Sequence, residues 1–263
     1  MDIGRYLGRI GVRGPRLPTV ETLRELQRAH LLHVPFESYD CALGRPVTVD
    51  PATNYTKIVE HRRGGFCFEL NGLFGRFLEA LGFEVTLLSA RPYVVGRESG
   101  AEPEFSHLVL LVGAAGERWL VDVGFGDGFM EPLRLDETAN QERELGRRYR
   151  VVPGAADRPW SKTQLFGEAD AEAYFFTLEP RRLEDFAGMC RHYSTAPDSW
   201  FVRSPVCSRA TPTGRVTLAE RRRLIVTADG VRTERLLANE AEERTMLREW
   251  FGVELDPAAG AGH

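Results

Sequence analysis

The sequence has few cysteines and no long apolar run. Its 4 cysteines among 263 residues show neither CxxC spacing nor clustering with the histidines. This count is too low for a disulfide scaffold, and the spacing matches no common zinc pattern, so we predict no metal site. No run of about 18 apolar residues occurs, and the first residues form no basic-then-apolar signal. We therefore expect a reduced, cytoplasmic protein without a membrane anchor.

An excess of basic charge is also missing. The chain has 34 lysines and arginines against 38 acidic residues, for a net charge of −4. This balance does not favour nucleic acid as a partner. With 43% hydrophobic and 27% charged residues, the composition is that of a soluble globular chain long enough to bury a core.

Hydrophobic spacing in the first third of the chain predicts helices. Thr19 is placed to cap one helix, which Pro35 would end. A second helix is predicted by the apolar stripe from Phe66 to Leu81, with Gly82 where a C-terminal cap belongs.

The pattern then changes to short β-rich runs over residues 83–152. The runs at 108–112 and 119–123 are apolar on both faces, which predicts a covered sheet or a barrel. Further along, residues 223–227 predict a strand that enters a turn at Asp229-Gly230.

The remaining segments predict a loop, a helix and a tail. Residues 153–162 are typical of a surface loop, and the Gly/Ala-rich stretch 256–263 of a frayed end. Between them, Asn239 and Glu242 form a capping box for a last helix. Helices, then strands, then a mixed segment indicate an α+β protein.

Cys67 is the cysteine best placed for chemistry. Two glycines run directly into the predicted helix, so Cys67 falls in its first turn, where free backbone N–H groups and the helix dipole favour a thiolate. It also lies at the edge of the apolar stripe, where a crevice can reach it. The alternative is a buried cysteine that acts as a small hydrophobe, as we expect for Cys41, Cys190 and Cys207.

His107 and Asp122 are candidates for a base and its orienting acid. The two apolar runs flank residues 113–116, which predict a hairpin loop closed by pairing of Gly113 with Gly116. In that register His107 lies directly opposite Asp122, with Cβ atoms about 5 Å apart. The alternative is a core histidine satisfied by a nearby acid, although such a polar pair is costly among apolar neighbours.

Three sequence blocks resemble the signatures of the arylamine N-acetyltransferases. They are RGGFCFELN around Cys67, FSHLVLLV around His107 and VDVGFG around Asp122. Further elements agree in order and spacing over about residues 5–255, namely His33–Glu37, Ser194–Phe201 and Thr211–Arg215. The resemblance implies a Cys67-His107-Asp122 triad and an α+β fold in three parts. These are an N-terminal helical bundle (1–83, with the nucleophile), a central β-barrel (84–190, with His107 and Asp122) and a C-terminal α/β lid (191–263).

The resemblance also implies an activity. It is acetyl transfer from acetyl-CoA to an aryl amine or hydrazine, by a ping-pong mechanism through an acyl-cysteine, with no permanently bound cofactor. Phe36, Phe125, Gly126 and Phe129 are the implied substrate-binding residues, and the alternative for the three aromatic residues is that they belong to the core. The glycines around Gly126 have GxGxG spacing, which does not fit a dinucleotide fingerprint. We interpret them as a close backbone approach to the CoA arm, and the alternative is a plain turn.

The sequence departs from the family pattern in two places. Glu37 is followed by Ser38-Tyr39 rather than the usual Asn-Leu, near the expected active-site entrance, and the chain stops about 20 residues earlier than many relatives. A more open cleft favours a second hypothesis, an ansamycin-type amide synthase that takes a polyketide acyl chain from an acyl carrier protein. A thiol hydrolase and a non-enzymatic binding module are the third and fourth hypotheses.

Overall fold

A computed structural model describes residues 1–93, 101–142, 147–153, 163–166, 172–220 and 222–255. The α-helices are α1 (Ile3–Arg9), α2 (Val20–His33), α3 (Tyr39–Ala42), α4 (Pro51–Tyr55), α5 (Cys67–Ala80), α6 (Ala187–Thr195), α7 (Trp200–Arg203) and α8 (Glu240–Met246). A π-helical turn extends α4 over Thr56–Glu60, and another extends α8 over Leu247–Phe251. A 3-10 turn over Leu183–Phe186 leads into α6.

The strands form two antiparallel sheets within the described residues. They are β1 (Phe36–Glu37), β2 (Glu84–Pro92), β3 (His107–Ala114), β4 (Glu117–Val121), β5 (Leu133–Arg134), β6 (Gln141–Glu142), β7 (Arg148–Val152), β8 (Thr163–Phe166), β9 (Glu172–Phe176), β10 (Val206–Thr211), β11 (Gly214–Ala219), β12 (Arg223–Ala228) and β13 (Val231–Leu236). One sheet has the order β5-β4-β3-β2-β9-β8-β7-β6, and the other has the order β1-β10-β11-β12-β13.

The larger sheet is curled, and a side chain joins its two edges. Gln141 on β6 accepts a hydrogen bond from the Arg134 N–H on β5 at 2.8 Å and donates one to the Arg134 carbonyl at 2.9 Å. Apolar side chains from both halves of the sheet, including Val109, Leu120 and Val151, form one buried core inside the curl. This curled sheet corresponds to the predicted barrel, and the α+β fold class is confirmed.

Helix α5 packs on the outside of the curled sheet. Its stripe from Leu70 to Leu78 is almost fully buried, as the hydrophobic spacing predicts. The Tyr6 ring of α1 stacks on Phe77 with centroids 4.0 Å apart. The Thr19 cap of α2 is also confirmed, since its side chain accepts from the Thr22 N–H. The stacked Tyr6 ring holds α1 against the second half of α5.

The smaller sheet joins one strand from the N-terminal part of the chain to four strands from the C-terminal part. Strand β1 pairs with β10, so the segment just before α3 is held by residues 206–211. The Tyr39 hydroxyl on α3 donates to Glu243 on α8 at 2.7 Å, and both side chains are buried. The predicted α8 and the Asp229-Gly230 turn are confirmed: Asn239 caps the helix, and both turn residues have positive φ.

The predicted register of the β3–β4 hairpin is wrong by two residues. Ala115 and Gly116 have φ of 53° and 76° and form a two-residue turn, so that Gly113 pairs with Arg118 rather than Gly116. The shift leaves His107 diagonal to Asp122 instead of directly opposite. Because side chains alternate with a period of two, an even shift keeps both residues on the same face.

Two predictions concern segments beyond the described part of the chain. They are the surface loop over 153–162, of which the structure describes only Pro153, and the tail over 256–263. Among the helices of the described residues, none has both the length and the apolar character needed to cross a membrane.

Candidate active site

Cys67 is the first residue of α5. Its side chain is buried, and Sγ lies 4.0 Å from the carbonyl oxygen of Ser106. Two residues further on, Glu69 folds back and accepts a hydrogen bond from the Phe66 N–H at 3.1 Å. The Phe66 N–H, just before Cys67, is thereby satisfied by a side chain, and this contact defines the residue at which the helix begins.

A buried ion network lies beneath the start of α5. Lys57 Nζ contacts Glu69 at 2.7 Å and Asp40 at 2.8 Å, while Arg63 contacts Asp40 at 3.0 Å and Glu37 at 2.6 Å. Arg63 and Glu69 of the RGGFCFELN block therefore lie in one cluster with Glu37 of the His33–Glu37 element. Since every carboxylate in it has a cationic partner, burial is compatible with charge, and the cluster ties α5 to the strand and helix that precede it.

His107 and Asp122 form a buried hydrogen-bonded pair. His107 Nε2 lies 2.7 Å from Asp122 Oδ2, at the start of β3 and just after the end of β4. Asp122 Oδ1 accepts from Asn71 Nδ2 and from the Gly124 N–H, both at 2.8 Å. With Nε2 donating to the carboxylate, Nδ1 is the ring nitrogen left to exchange a proton.

Asn71 on α5 connects the helix to both strands. Its Nδ2 also donates to the Leu108 carbonyl at 2.6 Å, and its Oδ1 accepts from the Val123 N–H at 2.9 Å. One turn of helix therefore carries Cys67 and also the amide that fixes the ends of β3 and β4. This arrangement places the Cys67 thiol and the His107 imidazole in a fixed relation.

Burial controls the ionisation of Cys67. It raises the pKa of the Cys67 thiol well above its usual value, and the Cys190 side chain and the Asp122 carboxylate act in the same direction. The backbone N–H groups of Leu108 and Phe68 oppose this rise in pKa. Burial thus outweighs the favourable helix start, so a thiolate requires a cation formed beside it, and His107 is the group that can supply one.

Cys67 and His107 open into the same cavity of about 310 Å³. Its walls are mostly aromatic, and they come from both sheets and from α6 and α7. The lining residues are Phe36, Cys67, Pro92, Glu102, Ser106, His107, Gly124, Phe125, Tyr193, Trp200 and Phe201. A cavity of this size lies at the small end of the range for small-molecule sites, roughly 300–1,000 Å³.

Two of the four predicted substrate-binding residues line this cavity. They are Phe36 and Phe125, and the Phe125 ring lies edge-on to His107 with centroids 5.5 Å apart. Gly126 has a positive φ of 86° and lies against the Phe36 ring. The structure does not bring Phe129 to the cavity, because its fully buried ring packs on Tyr149 inside the curled sheet.

The Ser38-Tyr39 departure also lies away from the cavity wall. Ser38 accepts a hydrogen bond from the Val206 N–H at 3.1 Å, and Tyr39 contacts α8. Both side chains are buried against the C-terminal part of the chain. Their contacts indicate a role in joining β1 and α3 to the second sheet.

Gly124 makes the closest approach in the site. A Cβ at this position would lie 2.8 Å from Cys67 Cα and 2.7 Å from Asn71 Nδ2. Gly124 thus lies against the start of α5, and the approach of the glycine run to the CoA arm stays a prediction. No bulkier residue fits between the end of β4 and α5 without displacing one of them.

We expect Gly124→Ala to lower both stability and activity. The added methyl group would push Asp122 and Cys67 apart, at a cost of about 1–3 kcal/mol in the free energy of unfolding. Denaturant unfolding and the rate of CoA release from acetyl-CoA in the presence of an aryl amine measure the two effects. Gly128→Ala is the matched control, since its Cβ would lie 3.5 Å from Phe125 Cβ, an ordinary contact. Equal behaviour of the two variants would contradict the packing argument.

Several residues of the site were not predicted from the sequence. Asn71 carries a signal, because it lies one helical turn after Cys67 and hence on the same face. Tyr174, whose ring lies 5.3 Å from that of His107, and Tyr193 come from distant segments without a motif of their own. Glu102 likewise has no signal, since only the path of the chain after β2 brings it to the cavity.

Comparison with known sequences and structures gives a consistent result. A family model described as N-acetyltransferase matches residues 19–260. An arylamine N-acetyltransferase of Mycolicibacterium smegmatis is 36% identical, over 99% of this chain and 94% of its own. A pineal gland arylamine N-acetyltransferase isozyme of Gallus gallus is 34% identical, over 97% of this chain and 95% of its own.

Solved structures agree with these matches. The M. smegmatis arylamine N-acetyltransferase superposes with a TM-score of 0.90 at 33% identity, over 99% of this chain and 97% of its own. The Mycobacterium marinum enzyme in complex with CoA superposes with a TM-score of 0.86 at 32% identity, over 96% and 93% of the two chains. The chain therefore belongs to the arylamine N-acetyltransferase family.

Proposed function

We propose that this protein transfers an acetyl group from acetyl-CoA to an aryl amine or hydrazine through an acetyl-Cys67 intermediate. The observation that carries the proposal is the shared cavity, into which open both a buried thiol and an imidazole whose far nitrogen is held by Asp122 at 2.7 Å. A buried thiol with a raised pKa needs such a neighbouring base. Family membership and the CoA complex of the M. marinum relative support acetyl-CoA as the donor.

In the first half-reaction, the Cys67 proton moves to His107 Nδ1, and the thiolate attacks the thioester carbonyl carbon. The tetrahedral oxyanion lies near the first turn of α5, where backbone N–H groups without helical partners are available to receive it. The carbon–sulfur bond to CoA then breaks, and CoA leaves as a thiol with the imidazolium proton. Acetyl-Cys67 and neutral His107 remain.

In the second half-reaction, the amine nitrogen attacks the acetyl carbon of Cys67. His107 Nδ1 accepts the proton that the nitrogen must lose, and Asp122 stabilises the imidazolium. The carbon–sulfur bond to Cys67 breaks, the amide leaves, and the imidazolium proton returns to the thiolate. Because one thioester replaces another in the first step, the held acetyl group stays activated toward nitrogen.

The cavity walls favour a flat acceptor. Phe36, Phe125 and Phe201 present aromatic surface around the thiol, and aromatic pairs add about 0.5–1.5 kcal/mol beyond area burial. Trp200 is half exposed at the cavity, where its ring is available to a ligand from solvent. These features match an aryl amine or hydrazine more closely than an aliphatic amine.

Initial-rate kinetics test the two-step order. We expect parallel double-reciprocal lines when acetyl-CoA is varied at several fixed aniline concentrations, and exchange of labelled CoA into acetyl-CoA without amine. Intersecting lines together with absent exchange would show direct transfer in a ternary complex and would refute the acyl-enzyme order.

The same assay separates acetyl transfer from hydrolysis and amide synthesis. CoA release at a rate independent of added amine would indicate a hydrolase. Failure of acetyl-CoA to react, combined with reaction of a carrier-bound polyketide thioester, would indicate an amide synthase. The cavity of about 310 Å³ favours a small acyl donor, and the M. smegmatis and G. gallus relatives are arylamine acetyltransferases.

A further inference from the structure

We propose that Glu102 selects the acceptor amine, by accepting a hydrogen bond from an N–H or O–H group on the ring substituent that lies away from the reacting nitrogen. This inference rests on the proposed function and adds a substrate preference to it. Glu102 is the one acidic side chain among the described residues that line the cavity of Cys67 and His107. The other walls are aromatic, apolar or weakly polar, so a carboxylate there marks a specific polar contact.

The position of Glu102 is fixed by its backbone. Its N–H donates to the Pro92 carbonyl at 2.9 Å, and its carbonyl accepts from Arg91 Nε at 2.7 Å. Both partners belong to the end of β2, whose neighbour β3 carries His107. The carboxylate therefore projects from a segment anchored to the sheet that holds the catalytic base.

The carboxylate is oriented by Tyr193. The Tyr193 hydroxyl donates to Glu102 Oε2 at 3.2 Å, and the ring packs edge-on against Phe201 with centroids 5.6 Å apart. Burial raises the pKa of Tyr193, so the phenol stays protonated and remains a donor. An ionised carboxylate has about four lone-pair sites, so a group that accepts from the phenol can also accept from a ligand N–H or O–H.

The small cavity links this contact to catalysis. Cys67 and Glu102 line the same space of about 310 Å³, so an aryl ring whose amine nitrogen reaches acetyl-Cys67 has room to extend its far substituent to Glu102. A substituent with an N–H or O–H group donates a hydrogen bond to Glu102. A carboxylate substituent has no donor, so its oxygens would face the oxygens of Glu102 without a hydrogen bond. Sites built around a hydrogen bond discriminate strongly against an analogue that cannot make it.

A pair of isosteric acceptors tests the proposal. 4-Aminobenzamide carries an N–H donor where 4-aminobenzoate carries only acceptor oxygens. We expect Glu102→Gln to lower the kcat/KM ratio of amide over carboxylate substrate by about tenfold or more, because the new amide can donate to the benzoate. The kcat/KM for aniline, which lacks the substituent, is the reference value within each protein. Comparing ratios removes the intrinsic reactivity difference between the two amines.

Two further measurements complete the test. Glu104→Gln is the matched control, since it makes the same change two residues away in a side chain that contacts Arg181, and its ratio should equal that of the unaltered protein. The unaltered protein should also use N,N-dimethyl-4-aminobenzamide about tenfold less well than 4-aminobenzamide, a comparison that needs no variant. A ratio unchanged in Glu102→Gln, or equal use of the two benzamides, overturns the proposal. Absence of acetyl transfer to aniline by the unaltered protein would instead refute the proposed function.

Discussion

Cys67→Ala should lose acetyl transfer to aryl amines by at least about 10,000-fold while keeping its fold. The thiol is the group that would hold the acetyl between the two half-reactions, and an alanine offers no nucleophile in its place. Turnover of acetyl-CoA with aniline measures the loss, and thermal unfolding checks the fold.

Cys41→Ala is the matched control for this prediction. Cys41 is also a buried free thiol, but it lies in α3 and does not line the cavity. It should retain near-normal turnover. Substantial activity in Cys67→Ala would show that the reaction needs no covalent intermediate at this residue.

Asp122→Asn should lower kcat by about 1,000- to 10,000-fold with little change in stability. Asp122 Oδ1 accepts from two donors, Asn71 Nδ2 and the Gly124 N–H, while Oδ2 accepts from His107. An asparagine would keep its oxygen toward those two donors and turn its NH₂ group toward Nε2. The imidazole would then carry its proton on Nδ1, where it can no longer accept one from Cys67.

A surface substitution of the same kind provides the control for Asp122→Asn. Asp136→Asn removes an exposed carboxylate that pairs with Arg118, and it should leave kcat unchanged. Activity of Asp122→Asn within about tenfold of the unaltered protein would contradict the orienting role of the carboxylate.

The local elements of the fold could be predicted because their signals lie within a few residues. The Thr19 cap, the buried stripe of α5 and the Asp229-Gly230 turn each depend on side chains adjacent in sequence or one helical turn apart. The β3–β4 register could not be fixed in the same way. Pairing of Gly113 with Gly116 places the turn at Ala114-Ala115, but the turn lies one residue later, at Ala115-Gly116, and this moves every pairing of the ladder by two residues.

Residues of the candidate site could be predicted where they belong to a sequence motif. Cys67 stood out by its position at a helix start, and His107 and Asp122 by their predicted pairing across a hairpin. The register error was even, so His107 and Asp122 still lie on the same face of the sheet. Phe129 lies in the core rather than at the cavity, and the sequence does not decide between the two because an aromatic residue after a glycine run fits either. Glu102 depends on tertiary contacts with Tyr193, which lies 91 residues away.

The most direct measurement of the central claim is the mass of the protein after mixing with acetyl-CoA in the absence of amine. Acid quenching and peptide mapping should find one acetyl group, on the peptide that contains Cys67, and adding aniline should remove it with formation of acetanilide. An acetyl group on another residue, or no adduct while acetanilide still forms on adding aniline, would contradict the account.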